Sequence, residues 1–341
     1  MDYSIIARSN EPIYRQISRQ VEEAVFEGRL KAGEQLPSIN ELAAILGISR
    51  ETAKKAYKVL SDKGIILPHH GKGFFAADVN SDIRPQVLVI FDKFSVLKQI
   101  IFNAFAETLG ESAEITILNH NQSVDLLEYY LDNNLDHFNY YVVSPHFPLD
   151  PETQRRALKQ LSRIPNRKLI MLDRIHPDYP GNFGAVYQDF RNDIYTGLSE
   201  ALSRRGDMGF LRVITLPASL YGPEIRKGIE RFASEHGIRA EFLTEAPDDI
   251  HPNDTFLVLN SQLDAGLVGL VRKIQESSLE IGRDVRIISY NEMEMNELVL
   301  GGLTTVSTDF REMGRLAAEM ILTKTPRKIH CPFRLYPRHT F

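Results

Sequence analysis

Eight short, β-branched, largely continuous apolar runs constrain this chain more than any other feature. They are VLVIF (87–91), EITIL (114–118), YYVVS (140–144), KLIML (168–172), AVYQ (185–188), GFLRVI (209–214), TFLVLN (255–260) and VRIISY (285–290). A strand with one wet face alternates apolar and polar residues, whereas a continuous run suits a strand covered on both faces. Helical patterns lie between most of the runs, at 95–109, 150–163, 190–204, 222–236 and 264–277. Strand–helix alternation predicts parallel sheets joined by right-handed crossovers. Two such series within 87–341 predict two α/β lobes. In folds of this kind ligands sit just past the carboxyl ends of the strands.

The first 77 residues read differently. Pro12 suits a first helical turn, and Ile13, Ile17, Val21 and Val25 follow at a spacing of four, the stripe of an amphipathic helix. Gly28 is a stop signal. Ser38 with Glu41 three residues on forms a capping box for a second short helix that ends at Gly47. Ser49 opens a third, with Thr52 beside it. That third helix has a lean apolar face (Ala53, Ala56, Tyr57, Val59, Leu60) and a basic one (Arg50, Lys54, Lys55, Lys58). Past Gly64, "IILPHHGKGFFAA" reads as strand, glycine-rich turn and strand. Two short helices joined by a turn, followed by a small hairpin, predict a winged helix-turn-helix.

Charge agrees with that reading. The chain carries a formal −5, yet residues 49–73 hold six Lys or Arg against two Asp or Glu. A local basic patch on an acidic chain points to phosphate binding. In such a unit the third helix enters the major groove. Arg50 with Lys54 or Lys55 can reach phosphates or guanine edges, and Ser49 and Thr52 suit phosphate or base contacts. Gly71 and Gly73 let the hairpin backbone approach the duplex, with Lys72 supplying charge.

The motifs P-x-Y-x-Q-I, G-x-L-x-x-G-x-x-L-P-S, L-A-x-x-L-G-x-S-R-x-T and the G-x-G wing are all present between Pro12 and Ala77. By these the segment resembles the GntR-type winged helix-turn-helix over its full length. The resemblance places Ser49, Arg50, Thr52, Lys54, His70, Gly71 and Lys72 at DNA-contacting positions. With Ser38, Asn40 and Lys55 they make up the expected DNA-binding set. The family usually has arginine where this chain has Asn40, and Asn reads adenine where Arg reads guanine or phosphate.

The polar stretch "DVNSDIRPQ" (78–86) is read as a linker. Beyond it, residues just past strand ends are candidates to bind a small molecule: Asp92, Lys93 and Phe94; Ser144 and His146; Asp173 and Arg174; Tyr221 and Arg226; Asn260; and Asn291. Planar hydrogen-bonding groups with aromatics among them suit the vicinal hydroxyls and apolar face of a sugar. Plainer roles stay open: an Asp173–Arg174 pair, Asn260 and Asn291 as turn residues, His146 as a satisfied polar group.

"LIMLDR", "TFLVLNSQLDAG" and above all "VRIISYNEMEMNELVLGGLTTVSTDFREMGRLAAEMIL" make 87–341 resemble the LacI-type effector-binding domain, a relative of periplasmic sugar-binding proteins. A GntR head on such a body is similar to the arabinose-type repressors. The resemblance implies that Asp92, Asp173, Arg226, Asn260 and Asn291 face the ligand. It also implies an N-lobe of about 87–188 and 309–325 and a C-lobe of about 189–308 and 328–341. The crossovers would fall near Gln188–Asp189, Ser307–Asp309 and Thr325–Lys328. A homodimer seam is expected at Ser95–Leu109 and Asp264–Ser277.

Other classes find little support. The sequence holds one cysteine, Cys331, so no disulfide framework is possible. The start reads as no signal peptide, and no apolar run approaches the roughly 18 residues a membrane span needs. No H-E-x-x-H, G-x-S-x-G or G-x-x-x-x-G-K-[ST] pattern occurs, so catalytic residues, metal and cofactor are expected to be absent. The resulting expectation is a cytoplasmic, ligand-responsive repressor of carbohydrate-use genes. It would bind double-stranded operator DNA as a homodimer and respond to a monosaccharide, a pentose or deoxyhexose first. A sensor of a non-sugar metabolite such as a nucleobase, and a sugar-modifying enzyme with a DNA-binding head, are the alternatives.

Overall fold

A computed structural model describes residues 3, 5, 12–26, 28–69, 71–77, 84–135, 137–215, 219–259 and 266–341. They fall into two compact units, Met1–Pro85 and Gln86–Phe341.

The first unit holds α1 (Ile13–Phe26), α2 (Ile39–Leu46), α3 (Arg50–Asp62) and an antiparallel hairpin of β1 (Ile66–His69) and β2 (Gly73–Ala76). Ile17 and Val21 of the α1 stripe are fully buried. The Ser38 hydroxyl accepts from the Glu41 amide at 3.2 Å, and the Glu41 carboxylate accepts from the Ser38 amide at 2.8 Å, which completes the capping box of α2. Gly47 ends that helix at φ 63°, a left-handed conformation that costs a Cβ-free residue nothing. Ser49 caps α3 by accepting from the Thr52 amide at 3.1 Å. On the inner face of α3, Ala53, Ala56, Tyr57 and Leu60 are buried. The small side chains let α1 close in, and Ser18 Oγ donates to the Ala56 carbonyl at 3.1 Å. Tyr57 ties in both neighbours. Its hydroxyl donates to the Pro37 carbonyl at 2.6 Å, and its ring meets Phe74 of β2 edge-on at 4.8 Å.

The second unit is a pair of parallel sheets. One contains β3 (Gln86–Phe91), β4 (Glu114–Asn119), β5 (Tyr140–Val143), β6 (Leu169–Asp173) and β7 (Gly184–Tyr187), and the other β8 (Phe210–Ile214), β9 (Ala240–Leu243), β10 (Asp254–Val258), β11 (Arg286–Tyr290) and β12 (Thr304–Thr308). The chain ends with β13 (Lys328–His330), which joins the first sheet, and β14 (Phe333–Tyr336), which joins the second. The orders are β13-β7-β6-β5-β3-β4 and β14-β12-β11-β10-β8-β9. Position for position these are the same order, so the lobes are two copies of one plan. They differ at one edge, where β13 runs parallel to β7 and β14 antiparallel to β12.

In the N-lobe, α4 (Val96–Leu109) and α10 (Phe310–Leu322) pack against each other, as do α5 (Val124–Asn134) and α6 (Pro151–Leu161). In the C-lobe, α7 (Phe190–Arg205) packs on α8 (Gly222–His236), and α9 (Leu267–Glu276) buries Leu267, Leu270 and Ile274 in a separate core with Phe256 and Ile287. Away from the sheet edges the strands are buried almost throughout, which is why their sequences are continuous apolar runs. Among the described residues no helix is long and apolar enough to cross a membrane.

Two expected boundaries move. Gln86 is a strand residue and not linker: its amide donates to Asn139 Oδ1 and its carbonyl accepts from the Asn139 amide, both at 2.8 Å. Residues 78–83 of that stretch lie outside the described residues. The third passage between lobes is at Cys331–Pro332 and not at Thr325–Lys328, because Lys328–His330 pairs with Ala185–Tyr187 of the N-lobe sheet. The other two passages are at Gln188–Asp189, between β7 and α7, and at Asp309, between β12 and α10.

Helices α4 and α10 touch backbone to backbone at Gly314. A Cβ built there would lie 2.1 Å from the Ile101 carbonyl oxygen and 2.9 Å from the Phe105 amide. Inside an exposed helix, Gly→Ala stabilises by about 1 kcal/mol. Here the sign reverses, because neither backbone atom can give way. Gly314→Ala is expected to cost about 1–3 kcal/mol, read as a lower midpoint in urea unfolding. An unchanged or higher midpoint would show that α4 and α10 are not in backbone contact.

Candidate functional site

The carboxyl ends of the two parallel sheets open onto one cavity of about 540 Å³ within the second unit. Its N-lobe wall is ionic. Asp92 follows β3, His146 follows β5, Asp173 ends β6, Gln188 follows β7, and Lys98 enters from the first turns of α4. Lys98 Nζ is 3.0 Å from Asp92 Oδ1 and also pairs with Asp173 Oδ2. His146 Nε2 is 2.9 Å from the same Asp173 oxygen. Gln188 Nε2 donates to Asp173 Oδ1, while Gln188 Oε1 accepts from the Thr308 hydroxyl at 2.7 Å. Lys98, Asp92, Asp173 and His146 are all buried.

Burial alone would raise the Asp173 carboxyl, but Lys98 and His146 outweigh it and hold the group well below the usual carboxylate range. Burial alone would lower Lys98, but Asp173 and Asp92 outweigh it and raise the ammonium above its ordinary value. Both groups are therefore charged at neutral pH. Asp173 contributes stability that is complete above the unfolded carboxylate value near 4 and lost as pH falls below it. Lys98 contributes stability complete below the unfolded lysine value near 10.4 and lost as pH rises past it.

The C-lobe wall is mostly aromatic and aliphatic, with Thr215, Ser219 and Asn291 as polar groups in it. Phe190 at the start of α7 stacks on Tyr221 with ring centroids 4.3 Å apart and planes 5° from parallel. Leu220, Ile225, Phe242, Leu259 and Tyr290 continue that wall, and Ile101 and Phe310 lie under the ionic one. Burial pushes the Tyr221 and Tyr290 phenols up, so both stay neutral. Asn291 lines the cavity at φ 75°, and Asp173 lines it at φ 74°. Asp173 closes β6 and Asn291 directly follows the equivalent strand β11, so the two lobes present a similar strained corner to the cavity.

Of the sequence candidates, Asp92, Lys93, His146, Asp173, Tyr221, Arg226 and Asn291 meet in the lining. Three do not. Phe94 is 76% exposed beyond the rim. Ser144 is buried behind the wall, where its carbonyl meets His120 Nε2 at 2.9 Å. Arg174 stands behind Tyr221, its Nη1 3.4 Å from the phenol oxygen, because Asp173 turns to Lys98 and His146 and does not pair with Arg174. Asn260 lies outside the described residues. Arg226 is an exposed rim residue whose Nε donates to Glu230 at 2.7 Å and whose guanidinium lies 4.0 Å from the Phe242 ring centre. Glu292 faces away: Arg338 clasps both its oxygens, at 2.8 and 3.0 Å.

The sequence reading missed Lys98, Phe190, Phe242 and Tyr290. Lys98 had left a signal, since it shares a helical stripe with Ile101 and Phe105, where an unpaired lysine would not be tolerated.

The basic surface of the first unit is built on the outer side of α3. Arg50, Lys54, Lys55 and Lys58 are exposed there and Thr52 is half-buried. Lys55 Nζ sits 4.2 Å above the Tyr14 ring of α1. Ser38 and Ser49 are exposed at the two helix starts, but their hydroxyls already serve as caps, and Asn40 is exposed in the first turn of α2. Gly71 (φ 73°) and Gly73 (φ 102°) shape the hairpin tip. Gln35 Nε2 donates to the Lys72 carbonyl at 2.8 Å and ties that tip to the body of the unit. His70 lies outside the described residues.

Residues 13–76 match the bacterial regulatory proteins of the gntR family, and residues 209–341 match the periplasmic binding protein-like domain. The HTH-type transcriptional repressor YtrA of Bacillus subtilis is 42% identical over 99 residues, which is 28% of this chain and 74% of that protein. Among solved structures, the Lac repressor in a repressed state has a TM-score of 0.59 at 17% identity, covering 86% of this chain and 92% of that one. The Lac repressor dimer bound to operator gives 0.57 at 16% identity, over 77% and 96%. The trehalose repressor from Escherichia coli gives 0.58 at 15% identity, over 74% and 100%. At such identities the structural matches show only a fold, the two-lobed, periplasmic-binding-protein-like α/β unit.

The ionic wall yields a stability test. Lys98→Met leaves two buried carboxylates without their cation and is expected to cost about 3–5 kcal/mol. Adding Asp173→Asn to that variant is expected to recover part of the loss. In the wild-type background, Asp173→Asn should flatten the fall in stability below pH about 4. Urea midpoints measured across pH report all three. A neutral Lys98→Met would show that the ammonium is not paired in the buried wall.

Proposed function

This chain belongs to the gntR family of bacterial regulatory proteins, and from that premise we propose that it is a cytoplasmic, non-enzymatic repressor of carbohydrate-use genes, released from its operator by a small carbohydrate. The observation that carries the proposal is the pairing, in one chain, of a basic α3 face with a cavity lined by buried, hydrogen-bonding carboxylates at the ends of two parallel sheets. A carboxylate such as Asp92 accepts from two vicinal hydroxyls, and an aromatic such as Tyr221 covers the apolar face of a sugar ring. The likeness of the second unit to the trehalose repressor and the Lac repressor supports a carbohydrate effector.

On this reading Arg50, Lys54, Lys55, Thr52 and Asn40 face the DNA, with Gly71 and Lys72 approaching along the hairpin. Ser38 and Ser49 present helix starts, whose backbone amides favour phosphate. The likeness to an operator-bound repressor dimer supports a homodimer that reads two half-sites about 34–36 Å apart. The seam is assigned to α4 in the N-lobe and α9 in the C-lobe. The passages at Gln188–Asp189, Asp309 and Cys331–Pro332 act as the hinge. A ligand that prefers one lobe arrangement shifts the equilibrium by its differential affinity and by no more.

Two variants separate the parts. An operator is first selected from a random double-stranded DNA library with the full-length chain. Arg50→Ala is then expected to weaken operator binding at least about tenfold, the worth of a lost base or phosphate contact, with an unchanged melting temperature. Wild-type affinity would reject α3 as the reading helix. Asp92→Asn should keep operator binding and lose release by the effector, which a retained response would contradict. Lys54→Ala should weaken binding evenly across sequences and lower the slope of log affinity against log salt by about one. An unchanged slope would take Lys54 off the phosphates.

A further inference from the structure

The two walls of the cavity differ in chemistry, and we propose that the effector differs in the same way at its two ends. It is a neutral glycoside whose hydroxylated ring lies on the N-lobe wall and whose apolar aglycone, of aryl size, lies on the C-lobe wall. This rests on the carbohydrate reading above and names the kind of carbohydrate.

The N-lobe wall selects a neutral, hydroxylated group. Lys98 lies between Asp92 and Asp173, so its charge is answered twice within the wall. Its ammonium donates to Asp173 and lies 3.0 Å from Asp92 Oδ1, which keeps further hydrogens for a ligand oxygen. Asp92 accepts hydroxyl hydrogens from the same ligand. An anionic group such as a phosphate would be stripped of water opposite two buried carboxylates, with no unanswered buried cation to receive it. The cations nearer solvent do little to offset that, since Arg226 is held by Glu230 and Lys93 is exposed to water.

The C-lobe wall carries Thr215, Ser219 and Asn291, but its aromatic and aliphatic stretch selects an apolar group. One aromatic ring would cover the apolar face of a pyranose. This wall goes further, from the stacked Phe190 and Tyr221 past Leu220 and Ile225 to Phe242 and Leu259. Phe242 is held in place by the Arg226 guanidinium 4.0 Å from its ring centre. Room agrees with surface. The cavity of about 540 Å³ falls within the roughly 300–1,000 Å³ of pockets that bury ligands larger than a bare hexose. A bare monosaccharide would leave the aromatic wall wet, and an aryl substituent dries it.

Calorimetric titration of the full-length chain without DNA tests this. The probes are α and β methyl and phenyl glycosides of the common pentoses, hexoses and deoxyhexoses, with the matching sugar phosphates. At least one phenyl glycoside is expected to bind on the order of tenfold tighter than its methyl partner, and sugar phosphates more weakly than either. Phe242→Ala should bring that phenyl compound to within about twofold of the methyl one, whereas Asp92→Asn should weaken both. Equal affinity for methyl and phenyl partners, or tighter binding of a sugar phosphate, overturns the proposal and leaves the carbohydrate reading standing. Phenyl glycosides of every sugar binding alike, with no loss in Asp92→Asn, would mark adsorption to an apolar wall and also overturn it. No binding in any series overturns the carbohydrate reading, and this proposal with it.

Discussion

The organisation of the second unit depends on one buried cation. Lys98 stands on α4, Asp92 follows β3, and Asp173 closes β6, so a single ammonium pins a helix to two strand ends of the N-lobe sheet. Replacing a buried pair with apolar residues is often neutral or stabilising, so such a pair is poor evidence of selection for stability alone. Its position at the cavity gives it another use. Asp173 is held ionised, and both carboxylates are positioned, before any ligand arrives, which removes part of the ordering cost of binding.

Around that pin the two lobes repeat one plan. The same strand order places β6 beside β7 in one sheet and β11 beside β12 in the other. Asp173 at the end of β6 and Asn291 just past the end of β11 share a left-handed conformation. What differs is the chemistry each lobe hangs on the shared frame. The N-lobe supplies charge and hydrogen bonds, and the C-lobe supplies Phe190, Tyr221, Phe242 and Leu259. Asymmetry of side chains on a symmetric backbone lets one cavity grip unlike parts of a ligand.

Much of this was legible in the sequence, for reasons that can be named. All eight apolar runs are strands, and seven of them are buried on both faces, while β4 at a sheet edge is half-exposed and was legible from its β-branched residues. The α2 and α3 starts were legible because Ser38 with Glu41, and Ser49 with Thr52, are local signals that need no tertiary context. Strands β9, β13 and β14 were not, since they are short edge strands with half-exposed residues and carry no continuous run. The cavity was legible where a residue follows a strand directly, as Asp92 and Asn291 do. It was not where a helix delivers the side chain, as with Lys98 and Phe190, or where a strand end turns the residue outward, as with Phe94. Position past a strand says that a residue is near the cavity, and only the turn geometry says which way it points.

The hinge is wired to the same carboxylate. Gln188 sits in the first passage between the lobes and Thr308 ends the strand that leads into the second. The Gln188 amide accepts from Thr308 with one atom and donates to Asp173 with the other. Asp193 near the start of α7 meets His330, the last residue of β13, at 2.7 Å, which places a second polar contact across the lobes beside the third passage. Burial pushes that carboxyl up to about 6, so this contact changes charge close to neutral pH, where Lys98 and Asp173 both stay charged. A ligand held by Asp92 and Lys98 therefore acts beside Asp173, which is one hydrogen bond from the first passage and two from the strand that leads into the second. On the proposed reading, that short path is how occupancy of the cavity biases the arrangement of the lobes, because the response needs only a difference in ligand contacts between two arrangements.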